Sequence, residues 1–350
     1  MIAYIGLALA PIVVELILPR INTDAKQRKQ YFAIIGVLLL LFMGLRSKYL
    51  GSVDTQHYWN WMERALLSDS WNVYYRPDGI EMGFQLFVFC LSRILPHPQW
   101  LLVITALFYI VSVFYFVAHN SKDIALSITI YITLGLMSFH LQGMRQSIAM
   151  CICLYAYEQA KRGNIVRFLL LVLLATTFHQ TAIIFIPVYI LCRMDFSYKK
   201  MPLLCAAAVI VLTSANKIVN IANAYFDMSY ADPKDGGGVV SVLIYVIILI
   251  TTLLYDTELK TGNAQTPLLF ILFCGFVSFL MRYFGTNLAD RISFYFVFSQ
   301  LVLLPNAANM VVPKQRRLMR GIIAVLSIAL MVYRLTGTEF IPYRFMWTLQ

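Results

Sequence analysis

The sequence predicts an all-α, polytopic integral membrane protein, and three observations carry that reading. Sixty per cent of the 350 residues are hydrophobic and 13% are charged, where a soluble domain carries about a quarter charged residues. Mean hydropathy is +0.72. The runs 31–45, 101–118, 239–255 and 322–335 are almost free of charge and approach the roughly 20 residues needed to cross a hydrocarbon core. A water-facing surface cannot be built from this stock of side chains.

Apolar runs broken by charge and turn residues give candidate helices at 1–19, 31–46, 80–95, 99–118, 124–140, 145–160, 166–178, 180–192, 202–224, 239–255, 266–281, 292–312 and 321–336. Several are short for a full crossing, so the expectation is about 11–13 transmembrane or re-entrant helices in a single domain, 1–350. Residues 1–19 lack the basic n-region of a signal peptide and read as a retained first span.

Charge orients the chain. The basic loops 20–29, 193–200 and 314–320 belong in the cytoplasm by the positive-inside rule, which also accounts for the net charge of +11 without nucleic acid as a partner. A long outer loop at about 47–79 and a second at about 225–238 follow. Seven runs lie between the first two basic loops, whereas a return to the cytoplasm needs an even number of crossings. Lys161, Arg162 and Arg167 also prefer the cytoplasm, so we expect one re-entrant piece between Gly79 and Gln142, with Arg145 and His179 on the outer side. The cysteines Cys90, Cys151, Cys153, Cys192, Cys205 and Cys274 sit in apolar runs without CxxC spacing, as buried small hydrophobes do. Neither disulfides nor a zinc site are expected.

Ionisable groups near spans are the informative residues, because each costs about 2.5–3.5 kcal/mol at the bilayer centre. The first cluster runs from Arg46 and Lys48 through Gly51 to Asp54, His57, Tyr58 and Trp59. Asp54 reads either as an N-cap or as a reactive carboxylate. The second is Glu81-Met-Gly83-Phe84, where Glu81 either complements a helix dipole or forms a second carboxylate near Asp54. Third come Arg145 and Gln146 at the head of an apolar span. Arg145 either snorkels to headgroups or, with Gln146 and free helix N–H groups, clamps an anion. In the fourth, Phe178-His179-Gln180-Thr181, the imidazole reads as a structural group or as a proton shuttle. Arg282, Asp290 and Arg291 complete the set. Arg46, Arg145, Arg282 and Arg291 all fall on the outer side in this topology, where positive-inside bias does not explain them, and an anionic ligand does.

Other chemistries lose support. The chain lacks a Walker A loop, a strand-borne GxGxxG, HExxH and GxSxG, so no cofactor is expected. No carboxylate cluster offers a metal cage, so no metal is expected.

Taken in order, L-R46-x-x-x-x-G51-x-x-D54-x-x-x-Y58, E81-x-G83-F84, R145-Q146-S-I-A149, F178-H179-Q-T-A182 and D290-R291 resemble the EpsG/Wzy-type family of bacterial polysaccharide polymerases, over residues 20 to 310. The chain departs from the family's simpler Gly-x-Asp turn at Gly51-Ser-Val-Asp54, and has Thr181 where Ser is commoner. The resemblance implies a fold like that of GT-C membrane glycosyltransferases and a polymerase at the outer face of the bacterial cytoplasmic membrane. Such an enzyme transfers a growing glycan from undecaprenyl diphosphate to the non-reducing end of a lipid-linked repeat unit, in exopolysaccharide, capsule or O-antigen synthesis. On that resemblance Arg46, Arg145, Gln146, Arg282 and Arg291 bind diphosphate, Asp54 or His179 takes the acceptor proton, Glu81 contributes a further carboxylate to the catalytic set, and Tyr58 and Trp59 contact sugar. The implied partners are the lipid-linked oligosaccharide and membrane lipid, with a flippase and a chain-length regulator as candidates. A flippase of the same ligand, or a non-catalytic member of the biosynthetic complex, is the alternative reading.

Overall fold

In lipid, backbone N–H and C=O groups have no water to bond, so a spanning chain must satisfy them within its own helices. The computed structural model obeys this: it describes residues 1–51, 53–77, 80–194, 266–280 and 287–348, with helical pieces at 206, 209–214, 217, 242 and 245–250, and among them there is no strand, only a lone bridge between Arg46 and Phe345. The helices are α1 (Ile2–Ile17), α2 (Ala25–Gly44), α3 (Val53–Leu67), α4 (Trp71–Tyr74), α5 (Met82–Ile94), α6 (Gln99–Asn120), α7 (Ile124–Thr133), α8 (Leu136–Gln142), α9 (Met144–Lys161), α10 (Ile165–Phe178), a 3-10 helix (Gln180–Phe185), α11 (Val188–Leu191), α12 (Thr266–Leu280), α13 (Asn287–Val297), α14 (Gln300–Met310) and α15 (Pro313–Leu335). The expected helices at 202–224 and 239–255 fall largely outside the described residues, and the expected outer loop at 225–238 wholly so.

Local sequence explains the breaks. Asp24 caps α2 by accepting Lys26 N–H at 2.8 Å, and Asp123 caps α7 by accepting Leu126 N–H at 3.1 Å. Gly135, at φ +101°, supplies the left-handed residue that separates α7 from α8. Gln99–Asn120 and Pro313–Leu335 are each long and apolar enough to cross a bilayer, and α7 with α8 passes the same test as a pair bent by 50°. Their outward faces are apolar: Leu107, Val111, Val325 and Leu326 are exposed, as side chains against lipid should be.

Two ends of the bundle differ in charge. At one, Arg320 joins Glu15 at 2.6 Å and Asp123 at 3.1 Å. Nearby, Lys161 donates to Asn120 Oδ1 at 2.6 Å, Asn306 Nδ2 donates to Asn120 O at 3.1 Å, and Arg193 donates to Ala160 O at 3.1 Å. The basic segments around residues 20–29, 161–167 and 314–320, with Arg193, therefore share one end. At the other, Gln99 Nε2 donates to Gly44 O at 2.6 Å, Gln142 Nε2 to Gly51 O at 2.8 Å, and Arg334 to Leu134 O at 3.0 Å.

This geometry resolves the parity of the chain. α5 both starts and stops toward the second end: Arg93, in its last turn, donates to Ala65 O of α3 at 3.1 Å, and His97, just before α6, meets the Trp59 ring of the same α3 at 6.0 Å. It is the non-crossing piece within 80–95. Segment 166–192 is a hairpin in which α10 rises from the basic end, turns at His179, and returns through the 3-10 helix and α11. Tyr189 OH closes it by donating to Gly163 O at 3.0 Å. The segment 47–79 carries two helices, α3 and α4, with α3 packed along α5. Single cysteines at Asn60 and Arg162, in a background with Cys90 replaced, should accordingly be labelled by an impermeant maleimide from opposite sides of the membrane. Labelling of both from the same side would refute this path.

Candidate functional site

The site begins with a close approach. A Cβ on Gly83 would fall 2.6 Å from Thr177 O and closer still to the Thr177 hydroxyl, so only glycine lets the first turn of α5 lie against the end of α10. That contact sets Glu81, two residues ahead of Gly83, beside His179, two residues beyond Thr177. Glu81 Oε1 lies 3.0 Å from His179 Nδ1 and accepts Gln180 N–H at 3.3 Å. Its other oxygen is ion-paired with Arg145, in the first turn of α9. Arg145 also shares a hydrogen bond with the buried Tyr58 hydroxyl of α3. Four elements distant in sequence thus converge on one carboxylate.

α13 closes the cluster. Gln146 Nε2 donates to Arg291 O at 2.5 Å, Phe139 stacks on Phe294 at 3.8 Å, and Thr181 donates to Tyr295 OH at 3.3 Å. Arg291 lies close enough to act electrostatically on the His179 ring. The cluster is recessed: Tyr109, well inside α6, donates to Met144 O at 3.1 Å, so α9 and its Arg145 begin several residues below the start of α6. Among the described residues, His179 Nε2 and Arg145 Nε are buried polar atoms without a hydrogen-bond partner.

Electrostatics fix the carboxylate as an anion. Glu81 precedes α5, which does not span. Burial there pushes its pKa up, but the His179 hydrogen bond and the Arg145 charge outweigh burial and hold it at about 2. With Glu81 ionised and facing Nδ1, the neutral imidazole carries its proton on Nδ1 and leaves the Nε2 lone pair free to accept a proton.

Not every expected residue arrives here. Arg46 stands apart from the cluster: it is buried, with Nη1 donating to Met43 O at 2.5 Å and Nη2 to Leu141 O at 3.2 Å. Its donors brace the junction of α2 with α8, which removes them from the expected diphosphate clamp. Trp59 also faces elsewhere, donating to Glu63 at 2.7 Å beneath the Lys48 ammonium, whereas its neighbour Tyr58 is in the cluster. Asp54 is exposed in the first turn of α3, which starts at Val53, so it sits inside the helix and not at its cap. It favours the helix dipole and acts electrostatically on Tyr58. Arg282 lies outside the described residues, as does the side chain of Asp290. Spacing along the chain does not reveal the Tyr58–Arg145 bond, the Thr181–Tyr295 bond or the steric demand at Gly83, although a glycine two residues after Glu81 is a visible signal.

Gly83→Ala must push α5 from α10, at a cost of about 1–3 kcal/mol for an overpacked contact, and should lower the thermal midpoint in detergent more than Gly6→Ala, where a Cβ meets nothing within 4 Å. Because the folded pKa of Glu81 is depressed from 4.5 to about 2, its stabilisation is complete above about pH 4.5 and is lost as pH falls toward 2. Thermal midpoints of wild type and Glu81→Gln should converge over that window; parallel curves would refute the pairing.

A model of the EpsG family matches residues 29–345. No curated protein and no solved structure matches the chain. With nine-tenths of its length matched, and with an all-helical, lipid-faced bundle around the cluster, the chain belongs to the EpsG family.

Proposed function

We propose that this protein is a polysaccharide polymerase, a glycosyltransferase that moves a growing glycan from undecaprenyl diphosphate onto the non-reducing end of a lipid-linked repeat unit. Family membership supports the polymerase class. The observation that carries the chemical reading is the Glu81–His179 pair, with Nε2 of the imidazole buried and unpartnered among the described residues beside two arginines.

The reaction needs a base and an electrostatic sink. His179 Nε2 accepts the proton of the acceptor hydroxyl as that oxygen attacks the anomeric carbon, and Glu81 stabilises the imidazolium that forms. The bond from the anomeric carbon to the diphosphate oxygen breaks, and the electron pair leaves with the diphosphate. Arg145 and Arg291 face the charge that develops there, an effect largest where water is excluded. The proton then passes from imidazolium to solvent. Tyr58 holds Arg145 in place and borders the volume that sugar would occupy. Asp54, exposed and one helical turn from Tyr58, is placed to contact sugar rather than to act as base. That the end carrying the cluster lies opposite the basic segments supports, under the positive-inside rule, a site at the outer face of the cytoplasmic membrane. The diphosphate leaving group supplies the driving force, so no nucleotide is required.

Purified protein given a lipid-linked oligosaccharide should lengthen the glycan. His179→Ala should lower that rate by about 100-fold or more, and Arg145→Ala or Arg291→Ala by about 100- to 1,000-fold, with membrane levels of each variant measured alongside. Asp54→Asn should retain most activity. Full activity in His179→Ala with loss in Asp54→Asn would move the base to Asp54. Unchanged glycan lengths with altered sidedness of the lipid would favour a flippase.

A further inference from the structure

A cavity of about 440 Å³ lies between α5, α6, α9 and α10, within the ~300–1,000 Å³ of small-molecule sites. Phe87, Ile104, Phe108, Ile148, Leu174 and Phe178 line it. Its two hydroxyl-bearing wall residues are turned to protein: Thr105 donates to Leu101 O at 2.7 Å, and Tyr155 OH meets Ser112 at 3.3 Å. Leu174, although it lines the cavity, is 47% exposed, and Leu86 and Leu107 beside it are 46% and 44% exposed. The cavity is therefore a slot that opens sideways onto the apolar exterior.

Its walls are helical stripes that start at the charged cluster. On α9, Ile148 and Ile152 follow Arg145 at i+3 and i+7; on α10, Leu171 and Leu174 lead to Phe178 and then His179; on α5, Phe87 lies one turn beyond Gly83. Residues at that spacing share a face. Glu81, Arg145 and His179 are not themselves wall residues, but Ile148 and Phe178 stand within one helical turn of Arg145 and His179, so one end of the slot lies next to the cluster while the side at Leu174 opens to the apolar exterior.

Resting on the polymerase reading, we propose that this slot receives the first isoprene units of the polyprenyl carrier and so holds the diphosphate against Arg145. The occupant must be anionic at one end and hydrocarbon immediately behind it, because the slot offers no polar group between the arginines and the lipid. It must also join head to tail without a polar linker. A polyprenyl diphosphate has that form, whereas the ester carbonyls and glycerol of a phospholipid would meet only apolar wall.

Photocrosslinking tests the slot without depending on turnover. Benzoylphenylalanine in place of Leu174 or Phe87, in full-length protein in phospholipid nanodiscs, should give an adduct with added undecaprenyl diphosphate despite the phospholipid excess. The same label at Val325, on the exposed face of α15, should give phospholipid adducts alone. Phospholipid as the sole adduct at Leu174 and Phe87 would overturn the proposal. In the glycan-lengthening assay, Ile104→Trp or Ile148→Trp should fill the slot and raise KM for the long-chain donor by at least about tenfold. A donor whose diphosphate carries only a methyl group, with no chain to seat, should show a far smaller change in KM. An undiminished long-chain preference in both variants would also overturn it. Polyprenyl adducts without any lengthening would uphold the slot and reject the polymerase reading.

Discussion

Everything at the second end of the bundle depends on one buried anion. A carboxylate taken out of water must be repaid by partners of good geometry, and removing one partner leaves an uncompensated charge costing several kcal/mol. Glu81 meets that demand with Arg145 from α9, His179 from the tip of the α10 hairpin and the Gln180 N–H. These partners are 64 and 98 positions away for Arg145 and His179. The carboxylate thus ties three helices together at the point where each ends or breaks. The α10 chain must stop at Phe178 so that His179, in extended backbone, can face Glu81 and the Gln180 N–H can reach it.

The two ends of the bundle use charge in opposite ways. At the basic end, Arg320, Asp123, Glu15, Asn120, Glu158 and Lys161 bond mostly to one another, which stitches α1, α6, α7, α9 and α15 together. At the recessed end, Arg145 Nε and His179 Nε2 remain buried without a partner among the described residues. Buried polar atoms are nearly always satisfied, and the exceptions ask for an explanation. Such atoms occur elsewhere among the described residues, at Arg46 Nε and Tyr157 OH for example; those of Arg145 and His179 differ in belonging to side chains joined by one carboxylate, which is what the proposed reaction uses.

Much of the fold was legible in the sequence, because apolar runs bounded by charge report spans directly, and basic loops report a shared side. The convergence of Glu81, Arg145 and His179 was legible only as proximity to one membrane face; their pairing depends on tertiary contacts that no local pattern encodes. Arg46 shows the limit best. An arginine at the end of an apolar span reads the same in sequence whether it grips a ligand or the carbonyls of Met43 and Leu141, and the carbonyls it grips belong in part to a helix 95 positions away. Tyr58 and Trp59, adjacent on α3, diverge because neighbours on a helix point about 100° apart. One therefore enters the cluster while the other packs with Lys48 and Glu63.

The ion pair also bears on how the arginines can catalyse on the proposed reading. A guanidinium already held by Glu81 and Tyr58 pays little reorganisation when charge appears nearby, the condition under which electrostatic stabilisation is strongest. Its attraction for a resting diphosphate is at the same time reduced by the carboxylate it carries. Catalysis profits only from interactions stronger in the transition state than in the ground state, and this arrangement moves the balance in that direction. As the glycosidic bond breaks, negative charge on the leaving oxygen rises and competes better with Glu81 for Arg145, while the imidazolium forming at His179 draws Glu81 the other way. A single carboxylate shared between base and clamp thereby couples proton removal from the acceptor to departure of the diphosphate.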